Sequence, residues 1–269
     1  MQPTAVAGTL GGPAVVVCPD MSEPVLSALP AGHVLLTLRH SEPVNLHLQR
    51  LHFHCPALAS DEDDQADDNL LLVFAQADAQ GQWPALERAP QRTYTVRARQ
   101  HDNVVVDVYL HGDGLMAGWA ANAQPGATLL ARPLPRSGAC LRAAEYPHHV
   151  LLGDDSALPL IGRWLERLPE GISAQAFIEV ADANARQALA EDEDIAIQWL
   201  ERNGFSASQS QLLEDALTDY VVSDAIMDID AVFFVIAGQD ARSARMAQFL
   251  IDAWAVAPDA IHQASHWQE

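Results

Sequence analysis

Apolar residues in the first half of the chain recur in short runs, several alternating with polar ones, and turn-forming residues separate the runs. Residues 34–38, 46–53, 70–74, 92–98, 104–110 and 128–131 have the length and composition of strands. In the second run the apolar residues change face between Leu48 and Leu51, as at a bulge or a barrel corner. Six short strands at this spacing predict a small antiparallel β-barrel. After Arg142 the period changes. Residues 150–152 are continuously apolar and run into Gly153; Leu158, Ile161, Leu165 and Leu168 then share one helical face, closed by Pro169-Glu170-Gly171. Apolar strands 176–180 and 232–237 are each followed by helical stretches, the last with Ala247, Leu250, Ile251 and Trp254 on one stripe. Strand alternating with helix predicts a parallel sheet covered on both faces. The expected organisation is an irregular Gly-, Pro- and Ala-rich segment at 1–30, a six-stranded barrel at 31–143 and an α/β domain at 144–269.

Composition narrows the chemistry. At 269 residues, 49% of them hydrophobic, the chain can fill two modest cores. No apolar run reaches membrane-span length and no basic stretch precedes an apolar one near the start, so neither anchor nor secretory signal is expected, and the protein is read as soluble and cytoplasmic. Cys18, Cys55 and Cys140 are scattered, which gives no disulfide framework and too few thiolates for an ordinary iron–sulfur cluster. If electrons move in this protein, an organic cofactor must carry them. A net charge of -21 argues against nucleic acid. All 15 basic residues are arginine, which excludes any role for a lysine ammonium or Schiff base. Arginines 88, 92, 97, 99, 132, 136 and 142 gather in one stretch and predict a locally positive region. Residues 61–68 hold six acids and are expected to repel one another into a solvated loop; their spacing does not fit a calcium loop. His33, His40, His47, His52 and His54 lie close in sequence, but nothing near them completes a ligand set and no metal site is assigned.

The stretch from Gln91 to Gly126 concentrates the remaining chemistry. Arg92 offers a guanidinium fork that matches a phosphate, and Tyr94 an aromatic face for a planar ring. Backbone N–H groups after Gly112 and Gly114, opening a short helix, can receive an anion. On a strand, residues 92 and 94 share one face and Thr95 takes the other, so a cofactor touching all three must lie around the strand's end. Taken alone, the same string also suits an ordinary exposed edge.

In order along the chain, Arg92-x-Tyr94-Thr95, His111-Gly112-Asp113-Gly114, Gly153-Asp154-Asp155-Ser156 and the strand ending Ala237-Gly238-Gln239 resemble the siderophore-interacting proteins, flavin-dependent ferric-siderophore reductases related to ferredoxin reductases. The resemblance spans roughly residues 45 to 250 and is firmest from Arg92 to Ile161. It implies an FAD-binding barrel followed by a Rossmann-like parallel α/β domain that binds NAD(P)H. It further implies that Arg92 holds the FAD pyrophosphate, Tyr94 packs on the flavin, and Thr95 makes the catalytic contact at the reactive N5 edge. His111, Gly112 and Gly114 would line the phosphate turn, while Trp119 is read as core. Gly153, Asp154 and Ser156 stand at the carboxyl end of a strand, where an open α/β sheet receives its ligand, and Ala237, Gly238 and Gln239 would complete that site. The first of these turns also suits a helix start, with Asp155 and Ser156 as caps and Pro159 in the first turn. Two aspartates oppose a pyrophosphate, so the nicotinamide end or another part of the nucleotide is expected there. Gln239 stands where the family more often has glutamate, Arg132-Pro133-Leu134-Pro135 replaces its Gly-Pro, and His266-Trp267-Gln268 replaces its Tyr-Trp-Arg; these departures gather on the donor and acceptor sides.

The resulting expectation is hydride transfer from a nicotinamide to FAD, then single-electron reduction of ferric iron held in a siderophore. Arg97, Arg99, Arg132 and Arg136 are the candidate acceptor contacts. With no lysine and an acidic field, a neutral or cationic hydroxamate complex is favoured over an anionic catecholate. NADH is favoured over NADPH, only Arg242 and Arg245 being placed to serve the extra phosphate. The partner expected is a ferric siderophore, with no nucleic acid, no membrane span and a monomeric protein. Two alternatives stay open: a flavin reductase or diaphorase on the same scaffold, and a non-catalytic flavin-binding accessory protein.

Overall fold

The computed structural model describes residues 29–59, 64–110, 114–223 and 228–268. Most of the expected lead-in, residues 1–28, lies outside them, as do residues 60–63, at the start of the acidic run, and His111, Gly112 and Asp113, where a phosphate turn is expected. Strands β1 (Val34–Pro43), β2 (Leu48–His54), β3 (Asn69–Val73), β4 (Gln91–Thr95), β5 (Ala98–Gln100), β6 (Asn103–Tyr109) and β7 (Thr128–Pro133) form one antiparallel sheet, ordered β4-β3-β7-β1-β2-β6-β5. Its two edges, β4 and β5, are neighbours in the chain, separated only by Val96 and Arg97. Val96 N donates to Asp68 O beside β3 at 2.9 Å, while Arg97 N already donates to Val105 O on β6 at 2.8 Å. One bent segment thus joins both edges and wraps the sheet into a barrel; with β4 and β5 taken together, the seven strands reduce to the expected six.

Leu36, Phe53, Leu70, Leu72, Val106 and Met116, the last from α1 (Leu115–Asn122), are among the side chains filling the barrel. Trp119 packs against the same core, its ring 6.0 Å from Phe53, as read from sequence. Leu48 and Leu51 are both buried although they differ in parity, the face change anticipated in β2. The register slip itself lies in the facing strand β1, between Leu38 and His40.

Beyond the short helix α2 (Ala139–Ala143), β8 (His148–Gly153), β9 (Ser173–Val180), β10 (Ile195–Glu201), β11 (Val232–Gln239) and β12 (Ile261–Trp267) form a parallel sheet ordered β10-β9-β8-β11-β12. Leu151, Phe233 and Val235 point to the layer holding α3 (Leu158–Glu166). Val150, Leu152, Phe234 and Ile236 point to the other layer, with α4 (Leu212–Val222) and α5 (Asp240–Trp254). Burial on both faces explains the unbroken apolar runs. The helix expected directly after β9 is replaced by a single 3-10 turn and strand β10, and β12 is a further strand that the apolar pattern does not reveal. Both are sheet edges and only partly buried, so neither shows the continuous apolar run of the central strands.

The acidic run departs most from expectation. Asp67 and Asp68 are 5% and 4% exposed rather than solvated. Arg163 of α3, fully buried, donates to Asp64, to Asp68 at 3.4 Å and to Val96 O at 2.5 Å. Arg99 and Arg136 reach Asp68 at 3.3 and 2.9 Å, and Arg167 reaches Asp64. Arginines from both halves of the chain cancel the repulsion that the acids would otherwise feel. The run therefore becomes a joint between barrel and parallel sheet. Burial lowers the Arg163 pKa to about 10 against the opposing pull of Asp64 and Asp68, and it stays cationic at neutral pH.

Candidate active site

Strand β4 presents its Arg-x-Tyr-Thr string as the pleat requires. Arg92 and Tyr94 stand opposite the core residues Leu72 and Leu70 of β3, and Thr95 stands opposite Asn69. The Arg92 guanidinium is exposed and donates only to the carbonyl of Gln91, at 2.8 Å; no carboxylate among the described residues reaches it. By contrast, arginines 50, 97, 99, 136, 163, 167, 186, 202, 242 and 245 all pair with acids. The Tyr94 ring packs against the barrel core and burial pushes its hydroxyl up to about 12, so it stays a neutral aromatic surface. Thr95 is 8% exposed and donates its hydroxyl proton to Asn69 Oδ1 at 3.1 Å. Gly114 caps α1 without a side-chain acceptor for the helix's first N–H groups. A free cation, an aromatic face and an uncapped helix start fit a dinucleotide laid around the end of β4.

The second cluster forms where β8 and β11 meet, the point at which the sheet's strand order reverses and a ligand crevice opens. Asp154, 3% exposed, accepts from Ser156 N at 2.9 Å, Ser156 Oγ at 2.5 Å and Trp267 Nε1 at 2.9 Å. Gly238, at φ 138°, makes room for it: a Cβ there would lie 2.6 Å from Asp154 Oδ2. Ala237 pairs with Gly153 across the two strands, and Gln239, 8% exposed, precedes α5. His266 Nδ1 sits 2.9 Å from Ser156 O, and burial lowers its pKa.

Behind this crevice runs a buried ionic chain. Arg202 contacts Asp155 at 2.5 Å and Glu179 at 3.2 Å; Arg242 contacts Glu179 and Glu214, both at 2.7 Å. Burial raises the Asp155 pKa while Arg202 opposes the rise. Tyr109, at the end of β6, accepts from Arg202, and Asn45 Nδ2 donates to Ala185 O at 2.9 Å, so the barrel closes over this end of the sheet. Of the acceptor candidates, Arg97 is held by Glu166, and Arg99 and Arg136 by Asp68, so their charges are already engaged; Arg132 is exposed and free of any carboxylate among the described residues. Asn69, Tyr109 and Arg202 were not among the sequence-derived site residues, since each acts through a partner distant in the chain.

Residues 37–133 match the model of the siderophore-interacting FAD-binding domain, and residues 146–269 match that of the siderophore-interacting protein. The chain belongs to the siderophore-interacting protein family. This siderophore-interacting protein is 36% identical over 148 residues to an uncharacterized protein of Mycobacterium tuberculosis, covering 53% of this chain and 50% of that one. It thus spans about half the length of the mycobacterial relatives it matches. It is 28% identical over 189 residues to the ferric vibriobactin reductase of Vibrio cholerae, covering 69% of this chain and 67% of that one. Among solved structures it is similar to a siderophore utilization protein from T. fusca, with a TM-score of 0.71 and 26% identity over 88% of this chain and 93% of that one. The siderophore-interacting protein therefore has the ferredoxin-reductase-like pairing of an antiparallel FAD-binding barrel with a parallel α/β domain. Among the described residues, no helix is long and apolar enough to cross a membrane.

Proposed function

We propose that this chain reduces ferric siderophores, drawing electrons from a nicotinamide dinucleotide through FAD. Arg92 carries the reading: it is the exposed cation beside Tyr94 and Thr95 that no described acid neutralises. Bound FAD supplies what no side chain can, exchange between a two-electron hydride and single electrons. Arg92 holds the pyrophosphate, assisted by the helix start at Gly114; His111 and Gly112, proposed to join them, lie outside the described residues. Tyr94 sets the ring against the barrel and Thr95 meets its N5 edge. Asp154, fixed by Ser156 and Trp267, and Gln239 orient the nicotinamide at the strand switch, with Gly153, Ala237 and Gly238 allowing its close approach. Residues 31–143 act as the flavin domain and 144–269 as the donor domain.

NADH is the donor this arrangement favours, because Arg242 and Arg245, the arginines the sequence offers for a 2′-phosphate, are both engaged by carboxylates. The donor's supply places the work in the cytoplasm. The name of the Vibrio cholerae relative supports a ferric siderophore as acceptor. Of the four acceptor candidates, Arg97, Arg99 and Arg136 are engaged and only Arg132 keeps an unpaired charge among the described residues, against a net charge of -21 for the chain, which favours a neutral or cationic hydroxamate complex. Initial rates with a neutral and a trianionic ferric siderophore at low salt test this. The neutral complex is expected to turn over faster, and added salt to help only the trianion. Faster turnover of the trianion at low salt contradicts the acceptor assignment, and faster turnover of free flavin than of any ferric chelate makes the protein a diaphorase.

A further inference from the structure

Thr95 is directly paired with Asn69 across β4 and β3, and its one hydroxyl proton goes to Asn69 Oδ1 at 3.1 Å. The amide is fixed in that orientation, since its Nδ2 donates to the Asp67 carbonyl at 2.9 Å and a flip would set two oxygens against each other. Asp67 is itself anchored, 5% exposed, by Ser137 and by Cys140 Sγ at 3.2 Å. The Thr95 oxygen therefore has only lone pairs left to offer any other group. Flavin N5 accepts a hydrogen bond when oxidised and donates one when reduced. A hydroxyl free to donate stabilises the oxidised ring, whereas one that can only accept stabilises the reduced ring.

We propose that Asn69 is a positioning residue that turns Thr95 into an acceptor for N5–H and so raises the midpoint potential of bound FAD. The inference rests on the reading of Thr95 beside N5. Each turnover places a hydrogen on N5 with the two electrons of the hydride. Once two ferric ions have taken one electron each, that hydrogen leaves as a proton. Favouring N5–H makes hydride uptake from the donor more complete. Nothing in the sequence around Thr95 announces the device, because Asn69 precedes it by 26 positions.

The test is the midpoint potential of the FAD-loaded protein, measured by anaerobic dye equilibration, for the natural protein, Asn69→Leu, Thr95→Val and the double variant. Asn69→Leu keeps size and charge but removes the acceptor. One hydrogen bond exchanged between redox states is expected to change their ratio about tenfold, a fall of about 30 mV for a two-electron couple. In the Thr95→Val background the same substitution is expected to change nothing, because the hydroxyl it acts through is gone. An unchanged potential in Asn69→Leu overturns the inference, as does an equal shift in both backgrounds, which would mark a general effect on the fold. If the leucine variant does not retain FAD, Asn69→Ala gives the same comparison. Natural protein that takes up no FAD contradicts the proposed function instead.

Discussion

Replacing Arg92 with alanine removes the one cation of β4 from the proposed pyrophosphate contact while leaving the strand's ladder intact. A hydrogen bond to a charged group contributes about 1.5–3 kcal/mol, so FAD affinity should fall about 10- to 100-fold. Titration of the apoprotein by quenching of flavin fluorescence measures this, and an unchanged affinity would place the pyrophosphate elsewhere. Arg92, Tyr94 and Thr95 could be proposed from the sequence because the argument for them needs only a local string and a strand's alternation. Asn69 could not, since it gains its role only by lying opposite Thr95 on another strand. Arg97, Arg99 and Arg136 were read as available to a ligand for the complementary reason: the acids that engage them, Glu166 and Asp68, are distant in sequence or belong to a run that appears self-repelling.

At the scale of elements, helix α3 and the acidic run hold the two halves of the molecule together. Arg163 is fully buried between Asp64, Asp68 and the Val96 carbonyl, so Arg163→Met leaves carboxylates underneutralised in a dry joint. Breaking a buried ion pair from one side costs about 3–5 kcal/mol, and the remaining partners Arg99, Arg136 and Arg167 put this case near the lower figure. Urea denaturation should show that loss, and a change below about 1 kcal/mol would mean the joint contributes little. The elements that the sequence displayed are those buried on both faces, β8, β9 and β11, or strongly alternating inside the barrel. Strands β10 and β12 were missed because each is an edge with one neighbour and only partly buried, and β12 is in addition rich in polar residues. The bend at Val96 and Arg97 was equally hidden, as it depends on which strands the two ends of one apolar segment find.

For the whole molecule, pH acts through histidines of the α/β half. His148 and His149 on β8 and His262 and His266 on β12 all have pKa values lowered by burial from an ordinary value of 6.5. The unfolded chain therefore takes up protons on these groups before the folded one does. Their contribution to stability is present above 6.5 and is lost as pH falls towards the folded values. The melting temperature should accordingly drop between about pH 7.5 and about pH 5.5, before most carboxylates titrate, and a flat or rising profile would contradict this.

The account as a whole depends on the two halves meeting at one flavin. The most direct measurement is an anaerobic titration of the FAD-loaded protein with NADH, following the visible flavin band, and then with a ferric hydroxamate in the presence of a ferrous chelator. The account predicts that NADH bleaches the band and that the ferric complex restores it with about two ferrous ions released per FAD. A band that NADH and NADPH both leave unchanged, or a bleached band that no ferric siderophore restores, would contradict it.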